Sequence, residues 1–474
     1  MALIDFKVLP GIDKQDTASG AEFRWVDCNN TRFRYGLPEK VGGWSSLITD
    51  TIVGVARREF AFVDLDGNRY VAIGTDKFLL IYFEGQLYDI TPLKTTLTSA
   101  TLATTDTSAI CSITTGTNHD LSVGDIVLLD TVTLPVGTGY VDADFENKLF
   151  QVTSITSATV FTITQSTAAT ATVGTGGSLS VKPYEQVGPA EQSYGYGWGI
   201  DTWSSGKWGE AASASDVSLE PGLWSLSNFG QVLVATIANG KTFTWNAGDA
   251  ARLTTRASTT TSGFETTNNP TATRITLVSP TTRHLIHLGT ETTIGDPTTQ
   301  DDMFIRFSDQ EDINDYVPTA INSAGSQRLQ DGTRIIGALK AKESILVWTD
   351  NALYTMKFIG APFTFGFEQV GTNCGLIGKN AAIEIDGMAF WMSSNGFFMF
   401  DGTVKSLPCS VEDYVYDQAD TTKGQQVYAG INNLFTEVVW YYPSTNSEYN
   451  DQYVVFNYGE PMKGGTWYIG TEAR

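Results

Sequence analysis

Histidine is the scarcest reactive residue in this chain: His119, His284 and His287 are the three among 474 residues. Chemistry built on imidazole bases or imidazole-held metals therefore has little to draw on. His284 and His287 stand three apart in a segment read as strand, where positions i and i+3 face opposite sides. No metal pair is expected there; solvated or core-edge imidazoles are. Cysteine is almost as rare. Cys28, Cys111, Cys374 and Cys409 lie far apart with no Cys-x-x-Cys pair. They read as buried thiols of a protein assembled in a reducing cytoplasm, not as disulfides or zinc ligands.

Positive charge is also in short supply. Thirty Lys and Arg face 52 Asp and Glu, a net charge of -22. A clamp on nucleic acid needs clustered cations at the phosphates, so the balance argues against one. It leaves open a surface past which DNA slides without sticking, since like charges keep a duplex off the wall. No apolar run approaches the roughly 18 residues of a spanning helix, so no membrane insertion is expected. The N-terminus lacks the basic start and apolar stretch of a signal peptide.

Catalytic signatures are missing too. No Gly-x-Ser-x-Gly elbow, P-loop or His-Glu-x-x-His occurs, nor does the repeated Ser-x-Asp-x-Gly-x-Thr-Trp box of sialidase propellers. Adjacent carboxylates (Asp301-Asp302, Glu311-Asp312, Glu412-Asp413) are expected by chance among 52 acidic residues and carry no glycosidase signal. Asp64-Leu65-Asp66-Gly67-Asn68 lacks the third spaced carboxylate and terminal Glu of a calcium loop and reads as a hairpin turn. The expectation is a non-enzyme with no catalytic residue, metal or cofactor.

What is present is turn and strand chemistry. There are 46 Gly, 19 Tyr, 25 Phe and 11 Trp, while charged residues make up only 17%. That balance suits all-β structure with many reversals. Residues 334–407 show it best: strand-length runs at 344–349, 354–358, 389–393 and 397–400 are punctuated by Asp350-Asn351, Asp386-Gly387, Asn395-Gly396 and Asp401-Gly402. Asp-Gly and Asn-Gly accept the positive φ that tight hairpins need. Four-strand meanders repeating at roughly 45 residues are the mark of propeller blades. A first blade is expected over 51–97, with strands at 59–63, 69–73, 78–82 and 86–90. The pattern resumes at 223–226, 231–237, 242–245 and 252–254 and runs on to 467–469. Between these, 98–181 turns Thr/Ser/Ala-rich and is read as an inserted small β-barrel. Residues 1–50 form an N-terminal docking arm, and 182–474 hold the remaining blades. The expected fold is thus an all-β propeller of about seven blades carrying a barrel insert. The chain ends just after its last strand, as a piece of a longer protein would.

Two aromatic groups stand out. Trp25, Phe33, Tyr35 and Trp44 lie in an arm with no core of its own, so they are expected to bury their rings elsewhere in the chain or in a neighbouring subunit. Tyr194, Tyr196, Trp198, Trp203 and Trp208 alternate with Gly and small residues. Packing between blades or subunits is the commoner use of such rings; the alternative is a platform that stacks on sugar rings, which would make the chain a carbohydrate-binding, receptor-reading propeller.

Several phrases resemble tail nozzle (hub) proteins of short-tailed bacteriophages. They are Ile305-Arg306-Phe307-Ser308-Asp309, Tyr316-Val317-Pro318 and Asn322-Ser323-Ala324-Gly325, then Ile336-Gly337-Ala338-Leu339 and Ile345-Leu346-Val347-Trp348-Thr349-Asp350. The stretch 391–402 fits as well, as does the opening Gly11-Ile12-Asp13 ahead of an arm rich in Asn and Arg. The match is good over 305–402 and loose elsewhere. It implies a virion structural protein of the tail, assembled in the host cytoplasm as a homo-oligomeric ring, usually of six. Such a ring sits below the portal and its adaptor ring, continues the channel for double-stranded DNA, and holds a fibre, spike or needle. The 98–181 insert departs from the family pattern. No catalytic residue is implied.

Overall fold

The computed structural model describes residues 8–17, 19–43, 45–46, 48–192, 220–259, 269–445, 447–459 and 466–472. It is all-β, with six antiparallel sheets in a six-blade propeller arrangement and one closed six-strand barrel. The chain divides into two compact units, 1–76 with 188–248 and 259–474, and 77–187 with 249–258.

The blades follow chain order. They comprise β3 (Ala56–Val63), β4 (Arg69–Thr75), β5 (Leu79–Phe83) and β6 (Gln86–Asp89); then β13 (Trp224–Phe229), β14 (Val232–Ile237) and β15 (Thr242–Asn246). The third is β16 (Thr273–Val278), β17 (Leu285–Thr290), β18 (Phe304–Phe307) and β19 (Gly325–Arg328). The fourth is β20 (Ile335–Lys340), β21 (Ile345–Thr349), β22 (Ala352–Gly360) and β23 (Thr364–Thr372). The fifth is β24 (Ala382–Ile385), β25 (Met388–Ser393), β26 (Gly396–Phe400) and β27 (Val404–Ser406), and the sixth β28 (Tyr428–Asn432), β29 (Glu437–Pro443), β30 (Asn450–Asn457) and β31 (Thr466–Thr471). The first strands of successive blades, β3, β13, β16, β20, β24 and β28, are neighbours and so form the inner ring.

Among the described residues the blades number six rather than about seven. Among the described residues, the 308–324 loop and the helix α1 (Glu412–Gln418) lie between strands. The expected strand at 252–254 is a hydrogen-bonded turn instead, closed by Arg252 N to Asp249 O and Thr254 N to Ala251 O. Among the described residues the sheet β13–β15 therefore has three strands.

Hairpin chemistry sets the registers. At Asp386-Gly387 both residues have positive φ, 51° and 86°, and Ile385 pairs directly with Met388. The Asp64 turn is a side-chain knot: its carboxylate accepts from Asp66 N at 2.9 Å, Asn68 N at 2.8 Å and Asn68 Nδ2 at 2.8 Å. Sheets packed against neighbours on both faces must be apolar on both, and β17, β21 and β25 are buried along almost their whole length. Large rings fill the space between blades. Indole N–H groups of Trp391 and Trp440 donate to the carbonyls of Cys374 and Ala381 at 2.9 and 3.0 Å, tying their blades to chain from the preceding one.

The arm lies on the last blade. The hairpin β1 (Thr31–Arg34) and β2 (Leu37–Lys40) follows a segment in which Ile12 N donates to Trp467 O at 2.8 Å and Asn30 N to Ile469 O at 3.3 Å. Gly11 makes this approach feasible: its φ is +97°, and a Cβ there would lie 3.3 Å from Trp467 N. Arg32 and Glu437, both buried, form a two-point ion pair at 2.9 and 3.0 Å.

In the other unit, the barrel closes as β10 (Lys148–Ser157), β11 (Val160–Thr164), β8 (Ile110–Thr114), β7 (Leu97–Thr104), β12 (Val173–Pro183) and β9 (Ile126–Thr133). Alternate residues point inward, with Leu102, Cys111, Ile113, Val127, Leu129, Phe161 and Ile163 among the core. Register shifts along β12 bend it; at Gly177, φ is +72° and a Cβ would sit 2.3 Å from Thr133 O.

Candidate functional site

Cations collect on the propeller axis. Arg57 and Arg58 begin β3, Arg274 lies on β16, Lys340 ends β20, and Lys379 and Asn380 immediately precede β24. On β13, Ser225 and Ser227 are two residues apart and share one face. Lys379 Nζ donates to Ser225 Oγ at 2.7 Å, and Lys340 Nζ donates to Ser227 Oγ at 2.9 Å. Blades five and two are opposite in a ring of six, so Lys379 reaches across the axis. Asn380 Nδ2 donates to Arg57 O at 3.1 Å, and Arg58 Nη1 donates to Asn380 Oδ1 at 3.3 Å. These bonds cross-brace the inner strands and obstruct the axis.

Charge balance differs within the cluster. Glu220 accepts from Arg274 Nη2 on both carboxylate oxygens, at 2.8 and 2.9 Å, and from Arg334 Nη1 at 2.8 Å. Arg274 also lies 3.5 Å from Asp302. Among the described residues no carboxylate makes an ion pair with Arg58, Lys340 or Lys379. Burial first, then Arg58 and Arg274, hold the Lys379 ammonium down to about 7, with Glu220 pulling the other way. Burial and Arg58 lower Lys340 to about 8. A chain of net charge -22 thus concentrates uncompensated positive charge at its centre.

The two close histidines are not solvated. Both are fully buried and neutral: burial lowers His284 to about 4 and His287 to about 3. His284 bonds Thr282 Oγ1 at 2.7 Å and Ser323 Oγ at 3.0 Å, while His287 bonds Thr273 Oγ1 and Tyr316 OH, each at 3.0 Å. Hydroxyl partners satisfy each ring, which is why the strand can bury them. The described residues hold no cluster of three or more His, Cys, Asp or Glu suited to a metal. All four cysteines are free thiols, three buried and Cys28 half-buried.

The arm's aromatics part company. Phe33 is fully buried in the core cluster shared by the fourth, fifth and sixth blades, and Trp25 packs against it with ring centroids 6.2 Å apart. Tyr35 lies at the hairpin tip with φ +53° and is 84% exposed, so its ring is not buried within this chain. Trp44 and the run Tyr194, Tyr196, Trp198, Trp203 and Trp208 lie outside the described residues.

A second surface feature comes from the long β18–β19 loop. Asp309 accepts from Gln310 N at 2.8 Å and Ser323 N at 2.7 Å. Asn322 Nδ2 donates to Asp315 Oδ2 and Val317 O at 2.8 Å each, while its Oδ1 accepts from Thr319 N at 2.8 Å. This bracing holds Ile321 out, 98% exposed, beside half-exposed Val317. Thr364 Oγ1 donates to Ser323 O at 2.9 Å, bringing in the β22–β23 hairpin, where Phe363 is 73% exposed and Phe358 and Ile359 are also exposed. The two loops that carry these exposed apolar side chains are thus tied together by the Thr364–Ser323 bond.

No protein-family model and no curated protein matches this chain. Among solved structures, phage phi92 endosialidase is similar at 10% identity and a TM-score of 0.23, over 88% of this chain and 56% of that one. Apo AztD from Citrobacter koseri is similar at 7% identity and a TM-score of 0.25, over 80% of this chain and 98% of that one. The chain thus spans little more than half the length of the phage phi92 endosialidase it matches.

Proposed function

We propose that the chain is a structural subunit of a bacteriophage tail, forming with further copies of itself the nozzle or hub ring below the portal and adaptor. In this reading the ring continues the path of double-stranded DNA and holds a fibre, spike or needle, and no bond is made or broken. The observation that supports it most is the apolar corner of Val317, Ile321, Phe358, Ile359 and Phe363. It is assembled from the stretch, 305–402, that carries the resemblance to nozzle proteins. A ring subunit needs rigid apolar surface for its neighbours, and exposed apolar area of this kind marks an interface.

The axis and the charge fit the same role. Since Lys379 and Lys340 cross the propeller, DNA would pass through the centre of the ring, between subunits, and not through a propeller. Acidic subunits lining that path discourage adhesion. Mass photometry of the chain, alone and with its adaptor ring, should show a species of about six copies in at least one setting. I321D combined with F363D should leave monomers. A wild-type chain that stays monomeric in both settings would contradict the reading.

A further inference from the structure

We propose that the axial cluster is a binding site for a small oxyanion, held between Arg58, Lys340 and Lys379. This is separate from ring assembly and stands or falls independently of it. Three cations converge here from blades one, four and five, and no described carboxylate pairs with any of them. Glu220, the acid whose charge acts on Lys379, is already shared by Arg274 and Arg334.

A lysine in such surroundings can relieve itself by losing a proton, but an arginine cannot. Arg58 offers five N–H donors and uses one, to Asn380 at 3.3 Å. Its other nitrogens are not sealed: none is among the buried polar atoms left without a partner, and the side chains of Arg58, Lys340 and Lys379 are half-buried. Each of the three therefore keeps some contact with solvent. A group with several charged oxygens would accept from the guanidinium fork and from both ammoniums at once, which a single-atom anion does less well. The serines leave room for this, since each ammonium has three donors and spends one on Ser225 or Ser227. Carboxylate and phosphoryl groups share the required chemistry.

Binding would also take up protons. The groups facing Lys379 are Arg58, Arg274 and Glu220, and Lys340 faces Arg58. An added anion reverses that positive field, so ammoniums partly deprotonated at pH 8 regain their protons.

Calorimetry of the full chain at pH 8 tests this with sodium phosphate, sulfate, acetate and chloride at matched ionic strength, in two buffers of different ionisation enthalpy. The expected result is saturable binding of an oxyanion with buffer-dependent heat showing proton uptake; phosphate against acetate tells a phosphoryl ligand from a carboxylate. Affinity should fall about tenfold or more in K379M and further in K340M/K379M. Circular dichroism checks that each variant keeps its fold after losing the bond to Ser225 or Ser227, and K379Q serves as a polar control. Equal effects from chloride, no saturable binding, or unchanged binding in the double variant would overturn the proposal.

Discussion

At the scale of single residues, the decisive fact is that two lysines sit where a positive charge is poorly tolerated. Lys379 and Lys340 are held to about 7 and about 8, against an ordinary 10.5. The unfolded chain therefore binds more protons than the folded one between those values and 10.5, and stability rises with pH across that window. Below about pH 7 the penalty is complete. Urea unfolding of wild type and K379M at pH 7 and pH 9.5, in chloride buffer, should show the wild type closing its deficit relative to the variant as pH rises; a pH-independent difference would contradict it. None of this was legible in the sequence. Arg58 and Asn380 are 322 positions apart, and no local spacing announces that inner strands will bring them together. The histidines were half legible: opposite faces of a strand followed from periodicity, but their burial depends on hydroxyls of Thr273, Thr282, Tyr316 and Ser323 drawn from other elements.

Single elements are held by a few directional bonds laid over apolar packing. Glu437 is buried on β29 and Arg32 arrives from the arm, so R32M leaves a buried carboxylate without its partner. The expected loss is about 3–5 kcal/mol in chemical unfolding, with R32M/E437M recovering much of it. W391F deletes the indole donor and strands the Cys374 carbonyl, at a cost of about 1–3 kcal/mol. Strands were the most legible elements, because turns such as Asp386-Gly387 and Glu84-Gly85 adopt the paired positive φ that their composition suggests. The barrel was legible as a shift in composition followed by short alternating strands. A run such as 252–254 has the apolar-polar texture of a strand, yet Asp249 and Ala251 carbonyls close it into turns.

At the scale of the whole molecule three properties come together: an axis crossed by cationic side chains, a strongly acidic composition, and exposed apolar side chains on two loops bonded to each other. The apolar residues were all in the sequence, but the bond from Thr364 to Ser323, which ties the loop carrying Ile321 to the hairpin carrying Phe363, spans 41 positions. Electron microscopy of the chain assembled on its adaptor ring tests the central claim most directly. The account predicts a six-fold ring with an open lumen between subunits and with Ile321 and Phe363 at each subunit boundary. A preparation without rings, or rings in which that corner faces solvent, would contradict it.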